Sequence, residues 1–147
     1  MKHLFYIFTL LFFAPLYSQK VLVQTVYKSI PPQEFSEEKN VFIFDSQEGS
    51  LLKKKTEDSV ENKYYIVLVK EFYDENKDFY FVEYKTDFKK HNQKAGNKSE
   101  IGLFTIMYDK KEGIVLAVFL NFLEAENAAL YLTEKGEKSP KVKSLFE

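Results

Sequence analysis

Along residues 114–122 (IVLAVFLNF) both alternating sets of side chains are apolar: Ile114, Leu116, Val118, Leu120 and Phe122 in one, Val115, Ala117 and Phe119 in the other. Successive residues of a strand point to opposite faces, so a strand with this pattern has no face to give to water. Residues 101–108 read the same way, with Leu103 and Met107 opposite Phe104 and Ile106. A one-sided antiparallel sheet shows a polar face. These two strands are therefore expected to be covered on both sides, by a helix, by other strands curling round, by a ligand or by a partner.

The rest of the chain is built from short apolar runs divided by polar turns. Residues 20–29 (KVLVQTVYKS) alternate, Val41 to Phe44 is a short strand, and Leu51 and Leu52 open a weaker one. Pro31-Pro32 and the acidic stretch Glu34 to Glu38 read as a loop. Residues 64–73 (YYIVLVKEFY) and 79–85 (FYFVEYK) are dense in aromatic and β-branched residues and flank Asp74 to Asp78, a segment of hairpin-turn length. A second hairpin turns at Asp109 to Gly113, after a long polar loop from Asp87 to Glu100. Over residues 123–135 the period changes: Ala125, Ala128, Ala129 and Leu132 share one helical face, with Asn121 as a possible N-cap and Gly136 as the stop. Val142 and Leu145-Phe146 form a last apolar patch, read as a possible edge strand. The expected fold is α+β or mainly β: an antiparallel meander of about seven strands, curved or barrel-like, with one C-terminal helix packed on it.

The first 18 residues read as a secretory signal peptide. Met1-Lys2-His3 is a positive start, Leu4 to Ala14 is apolar apart from Thr9, Pro15 ends that run, and small Ser18 precedes the expected cut. Eleven residues are too few for a spanning helix, which needs about 20. Residues 19–147 then make one β-rich domain, expected in the periplasm, at the cell surface or outside the cell, and not membrane-spanning. Losing Lys2 leaves a formal net charge of −2, and every basic residue is Lys. Nucleic-acid binding calls for a basic face and Arg forks, so no nucleic-acid partner is expected. A small Lys-rich chain without Arg reads as bacterial. There is no cysteine, so packing alone holds a domain destined for an oxidising compartment; the full chain has 15 Phe and 10 Tyr, of which 11 Phe and 8 Tyr follow residue 18.

No catalytic or metal-binding set stands out, and no cofactor is expected. His91, the one histidine after residue 18, lies in the polar loop KKHNQKAGNK and reads as solvated surface. One histidine is too few for a zinc site. Asp74-Glu75-Asn76-Lys77-Asp78 resembles the start of a calcium loop, but Phe79 stands where glycine is required and Lys85 where glutamate is. Asn97-Lys98-Ser99 matches the glycosylation triplet, a pattern that arises easily by chance.

What remains is the aromatic stripe of the central hairpin. Core packing with cross-strand pairs accounts for much of it. The sharper reading makes Tyr65, Phe72, Phe79, Phe81 and Tyr84 the wall of a ligand cavity or a surface that binds another protein. The order of meander, helix and short final element from Lys20 to Phe146 is similar in layout to lipocalin-like barrels, which implies an apolar ligand inside. Their G-x-W hallmark is absent, since the chain has no Trp, and an open sheet crossed by one helix fits equally well. The leading functional expectation is a non-enzymatic exported binding or protein-interaction domain. A lipocalin-like carrier of a small apolar ligand comes second, and a hydrolase using two carboxylates third. Intact-mass analysis of exported protein should give a chain beginning at Gln19; recovery of membrane-bound chain with residues 1–18 attached would overturn the export reading.

Overall fold

Three aspartates set the hairpins at one end of the molecule. In the computed structural model, which describes residues 20–30, 34–56, 61–87, 101–123 and 128–145, Asp45, Asp74 and Asp109 each end a strand. Each aims Oδ1 back at the turn that follows. Asp45 accepts from the N–H groups of Gln47 and Glu48, Asp74 from Asn76 and Lys77, and Asp109 from Lys111 and Glu112, at 2.8–3.2 Å. The last residue of each turn takes a left-handed backbone: Gly49 at φ 59°, Asp78 at 59° and Gly113 at 65°. Asp side chains mimic a backbone turn in this way, and Gly and Asp are among the residues that tolerate that conformation. The calcium-like run at Asp74 is thus a hairpin turn.

The strands are β1 (Lys20–Ser29), β2 (Ser36–Asp45), β3 (Ser50–Lys55), β4 (Glu61–Asp74), β5 (Phe79–Asp87), β6 (Ile101–Asp109), β7 (Val115–Phe122) and β8 (Ala128–Leu132). Each pairs antiparallel with the next, and β8 pairs with β1 through Tyr27↔Leu132, Lys28↔Tyr131 and Ser29↔Leu130, closing an eight-stranded barrel. Side chains alternate between inside and outside. Val23, Phe42, Phe44, Leu51, Ile66, Phe104, Ile106, Val118, Leu120 and Tyr131 fill the inside. Lys39, Lys54, Lys63, Lys85 and Asn121 are exposed on the outside.

The expected barrel-like antiparallel meander with a C-terminal helix is what forms, and two details within it differ. Eight strands form where about seven were expected, because residues 128–132 are a strand and not part of a helix over 123–135. Ala129 and Tyr131 point inward and Leu130 and Leu132 outward, so the Ala spacing serves a strand that is apolar on both faces. Pairing with β7 and β1 satisfies its backbone on both edges, which outweighs the helix preference of alanine. Ala125 lies outside the described residues. Strand β2 also begins at Ser36, within the acidic stretch expected to be loop.

Helix comes later, as α1 (Glu134–Lys138) and α2 (Pro140–Lys143). Val142 is helical, not on an edge strand. It is fully buried with Phe79, Phe81, Met107, Leu116, Ala117, Leu130 and Leu132, and Leu145 and Phe119 pack at the margin of the same cluster. The two-sided apolar strands are accordingly covered on both faces: Val118 is buried inside, while Ala117 and Met107 are buried outside beneath this C-terminal segment. Residues 1–19 and the loop with His91 lie outside the described residues.

Gly136 is not the helix stop that its position suggests; it lies within α1, buried against β7. A Cβ there would stand 2.0 Å from the Leu116 carbonyl oxygen. Gly136→Ala should therefore push α1 off the barrel and cost about 3 kcal/mol or more. Gly113→Ala meets nothing within 4 Å and should cost about 1 kcal/mol for its left-handed backbone. Thermal melts of the two variants check the contrast, and equal losses would count against the close approach.

Candidate functional site: the tyrosine-lined mouth of the barrel

An eight-stranded barrel is just wide enough to be filled by side chains or to hold one small ligand, and the interior here is filled at one level and open at another. The middle is filled by rings. Phe42 stacks near Phe44 at 6.2 Å between centroids and meets Tyr131 edge-on at 5.0 Å, and Phe44 stacks on Tyr84 at 5.5 Å. Above Tyr84, toward the β4–β5 and β6–β7 turns, the barrel opens into a cavity of about 1020 Å³. Val21, Val23, Val82 and Val115 give it apolar walls, and Tyr73, Tyr80, Tyr84 and Tyr108 line it with rings. Lys20, Asp109, Lys110, Glu134 and Lys135 stand around it.

Two β-bulges shape this mouth. In β4 the register shifts between Leu68 and Lys70. Strict alternation from inward-facing Leu68 would send Lys70 inward and Glu71 outward. The bulge at Val69 reverses this: Lys70 pairs outside with Glu83, at 3.8 Å between charges, and Glu71 pairs with inward-facing Val82 and lines the cavity. Re-aiming side chains is what bulges do. In β7 the extra residue is Leu116, so Val115 faces the cavity while Leu116 and Ala117 both pack outside. The bulged carbonyls are held by Thr133, whose N–H donates to Leu116 O at 3.0 Å and whose hydroxyl lies 3.0 Å from Val115 O and 3.1 Å from Leu116 O. The same hydroxyl accepts from Gly136 N and so caps α1.

Glu71 accepts a hydrogen bond from the Tyr80 hydroxyl. The Tyr80 and Tyr108 rings lie 6.2 Å apart. Burial pushes the Tyr84 and Tyr108 phenols up, and the Glu71 charge adds to both shifts. At the rim the Lys110 ammonium sits 3.8 Å from the Tyr73 ring centroid. The Tyr73 hydroxyl donates to Asp78 at 2.6 Å, and Lys141 of α2 donates to the same carboxylate at 2.7 Å. Those bonds, from Lys141 first and Tyr73 second, hold the Asp78 carboxyl down at about 2.

The far end of the barrel is polar. Glu38 bridges Lys55 at 3.0 Å and Lys28 at 3.4 Å and accepts from Asn40 Nδ2 at 3.1 Å. Burial alone would raise its carboxyl; the bonds from Asn40 and Lys55 and the charges of Lys28 and Lys55 bring it below the usual range. Lys53 lies 5.0 Å from the Tyr131 ring centroid and is pushed down by burial.

Of the five residues singled out in the sequence, Tyr84 alone lines the cavity. Phe79 and Phe81 pack outside with Val142, and Phe72 stacks on Phe81 at 5.1 Å. Tyr65 is exposed on the outer face. The sequence reading missed Glu71 and Tyr108. Tyr108 follows from alternation with Phe104 and Ile106, whereas Glu71 depends on a bulge that has no local signature. Among the described residues no three His, Asp or Glu side chains gather to hold a metal ion, and no helix is long and apolar enough to cross a membrane. Comparisons with protein-family models, curated proteins and solved structures found no match.

The buried phenols predict an alkaline transition. Burial raises Tyr64, Tyr84, Tyr108 and Tyr131 above the ordinary phenol value. The unfolded chain therefore loses these protons first, near pH 10. Their contribution is intact below that pH and is lost as pH rises above it, by about 1.4 kcal/mol per pH unit for each phenol the native state keeps protonated. Phenolate absorbance from these four tyrosines should rise in one cooperative step together with loss of circular dichroism. Their smooth titration with the fold intact would contradict the burial.

Proposed function

We propose that this chain is a non-enzymatic carrier that takes up a small, largely apolar molecule in the tyrosine-lined mouth of its barrel and works outside the cytoplasm. The observation that carries the reading is the cavity. At about 1020 Å³ it has the size of small-molecule sites, and its apolar walls with a few convergent polar groups have their composition. The floor is the packed ring cluster around Phe44 and Tyr84, so a ligand would enter one end of the barrel and stop. Export rests on the signal-like first 18 residues. Exposed lysines on the outer surface and an apolar inside are the reverse of a lipid-embedded barrel and favour a water-facing one.

A protein-interaction role keeps one observation in its favour: Tyr65, Val67 and Val69 lie exposed along the outer face of β4, with Val67 69% exposed. A two-carboxylate hydrolase has less. Glu71 faces the cavity, whereas Asp109 is engaged by the turn N–H groups of Lys111 and Glu112, and exposed Glu134 pairs with Lys138.

Titration with the neutral fluorophore N-phenylnaphthylamine should show saturable binding at one site per chain. Val21→Trp, which fills the mouth from β1, should weaken it at least tenfold, while Val67→Ser on the outer face should leave it unchanged. Loss of binding with Val67→Ser and not with Val21→Trp would transfer the site to the outer surface.

A further inference from the structure

The carrier reading leaves the ligand's head group open, and one partly buried acidic side chain addresses it. Glu71 is the acidic side chain that the β4 bulge turns into the cavity, in place of Lys70. Its hydrogen bond comes from Tyr80, and among the described residues it forms no ion pair. Around it lie Val82, Tyr84 and Tyr108. The mouth leaves this carboxylate partly exposed to solvent. A neutral apolar ligand would displace that solvent and leave the charge with a single hydroxyl donor, which is costly. An anionic ligand would add repulsion across a low-dielectric space. A cation would replace the lost hydration, and the tyrosine faces add to the attraction, since aromatic rings draw ammonium groups to their π-faces. The mouth already shows this contact in its own chain, where the Lys110 ammonium lies over Tyr73.

We infer that the cavity takes a cationic amphiphile, an alkyl amine or quaternary ammonium. Its charged head lies against Glu71 and the rings of Tyr80, Tyr84 and Tyr108, and its apolar part lies along Val23, Val82 and Val115. This rests on the carrier reading and adds the chemistry of the ligand. Rim charges do not supply the cation in advance: Lys20, Lys110 and Lys135 are exposed, and none reaches the Glu71 carboxylate within ion-pair distance.

The test uses three amphiphiles with matched tails below their micellar concentrations: decyltrimethylammonium, decanol and decanoate, each competing with N-phenylnaphthylamine. The ammonium should bind at least tenfold more tightly than decanol, and decanoate should bind least. Glu71→Gln keeps the shape and the acceptor for Tyr80, and it should bring the ammonium down to the level of decanol with melting preserved. Lys70→Gln, on the outer side of the same bulge, should leave the preference for the ammonium intact. Equal binding of ammonium and decanol to the unaltered protein, or a preference that survives Glu71→Gln, overturns the cation assignment while the carrier reading stands. Failure of the fluorophore and all three amphiphiles to bind overturns the carrier reading, and the inference with it.

Discussion

Closure of the barrel is the constraint on which the rest depends. A β-sheet has two edges, and each edge is a row of unpaired N–H and C=O groups. Here β8 pairs with β7 on one side and with residues 27–29 of β1 on the other, so the first and last strands meet and the sheet closes. Closure also divides each strand into an inward and an outward set. The inward set then makes a core of fixed diameter, and that diameter decides what the interior can hold. Phenylalanines fill it at the level of Phe42, Phe44 and Phe104. Valines and tyrosines that leave the centre open line it nearer the turns.

The C-terminal segment acts on the outer surface of the same barrel. Val142 anchors α2 over Phe79, Phe81 and Leu132, which gives β5 to β8 a second buried face. Gly136 lets α1 approach the bulged backbone at Leu116, and Thr133 joins that bulge to the start of the helix through one hydroxyl. The link is short in space and long in sequence. It holds Val115 toward the cavity by supporting the carbonyls on either side of the bulge. Stability of the outer coat and shape of the mouth are therefore coupled through residues 115, 116, 133 and 136. The opposite side of the barrel, around Leu22, Tyr65 and Val67, has no such cover among the described residues.

Within the site, the two bulges do chemically different things. The one in β7 supplies wall, substituting a valine toward the cavity and sending Leu116 to the outer core. The one in β4 supplies charge, exchanging a lysine for a glutamate at the cavity surface. Tyrosine suits such a place because its ring packs as an apolar wall while its hydroxyl serves a neighbour, as Tyr80 does for Glu71 and Tyr73 for Asp78.

Much of this molecule follows from local rules that the sequence carries in full. Asp45, Asp74 and Asp109, each followed four residues later by Gly or Asp, determine three turns, because a carboxylate one residue before a turn can bond its N–H groups without help from elsewhere. The double apolar pattern at 101–108 and 114–122 determines that both faces of those strands are covered, and the alternation of Tyr80, Val82 and Tyr84 puts those three on one side. Tertiary structure decided the remainder. Ala128 to Leu132 suits a helix by propensity and became a strand because two distant edges needed a partner. Gly136 suits a helix end and became a contact point because Leu116 lies against it. Phe79 and Phe81, equally suited to a cavity wall, became core because Val142 arrived from more than 60 residues away in the chain. Glu71 faces the cavity because pairing β4 to β5 absorbs one extra residue at Val69, a choice made by the register of two strands together. Local hydrogen bonding and alternation are properties of neighbouring residues, and the sequence states them. Which face a bulge selects, and which edge a strand completes, are properties of the closed barrel.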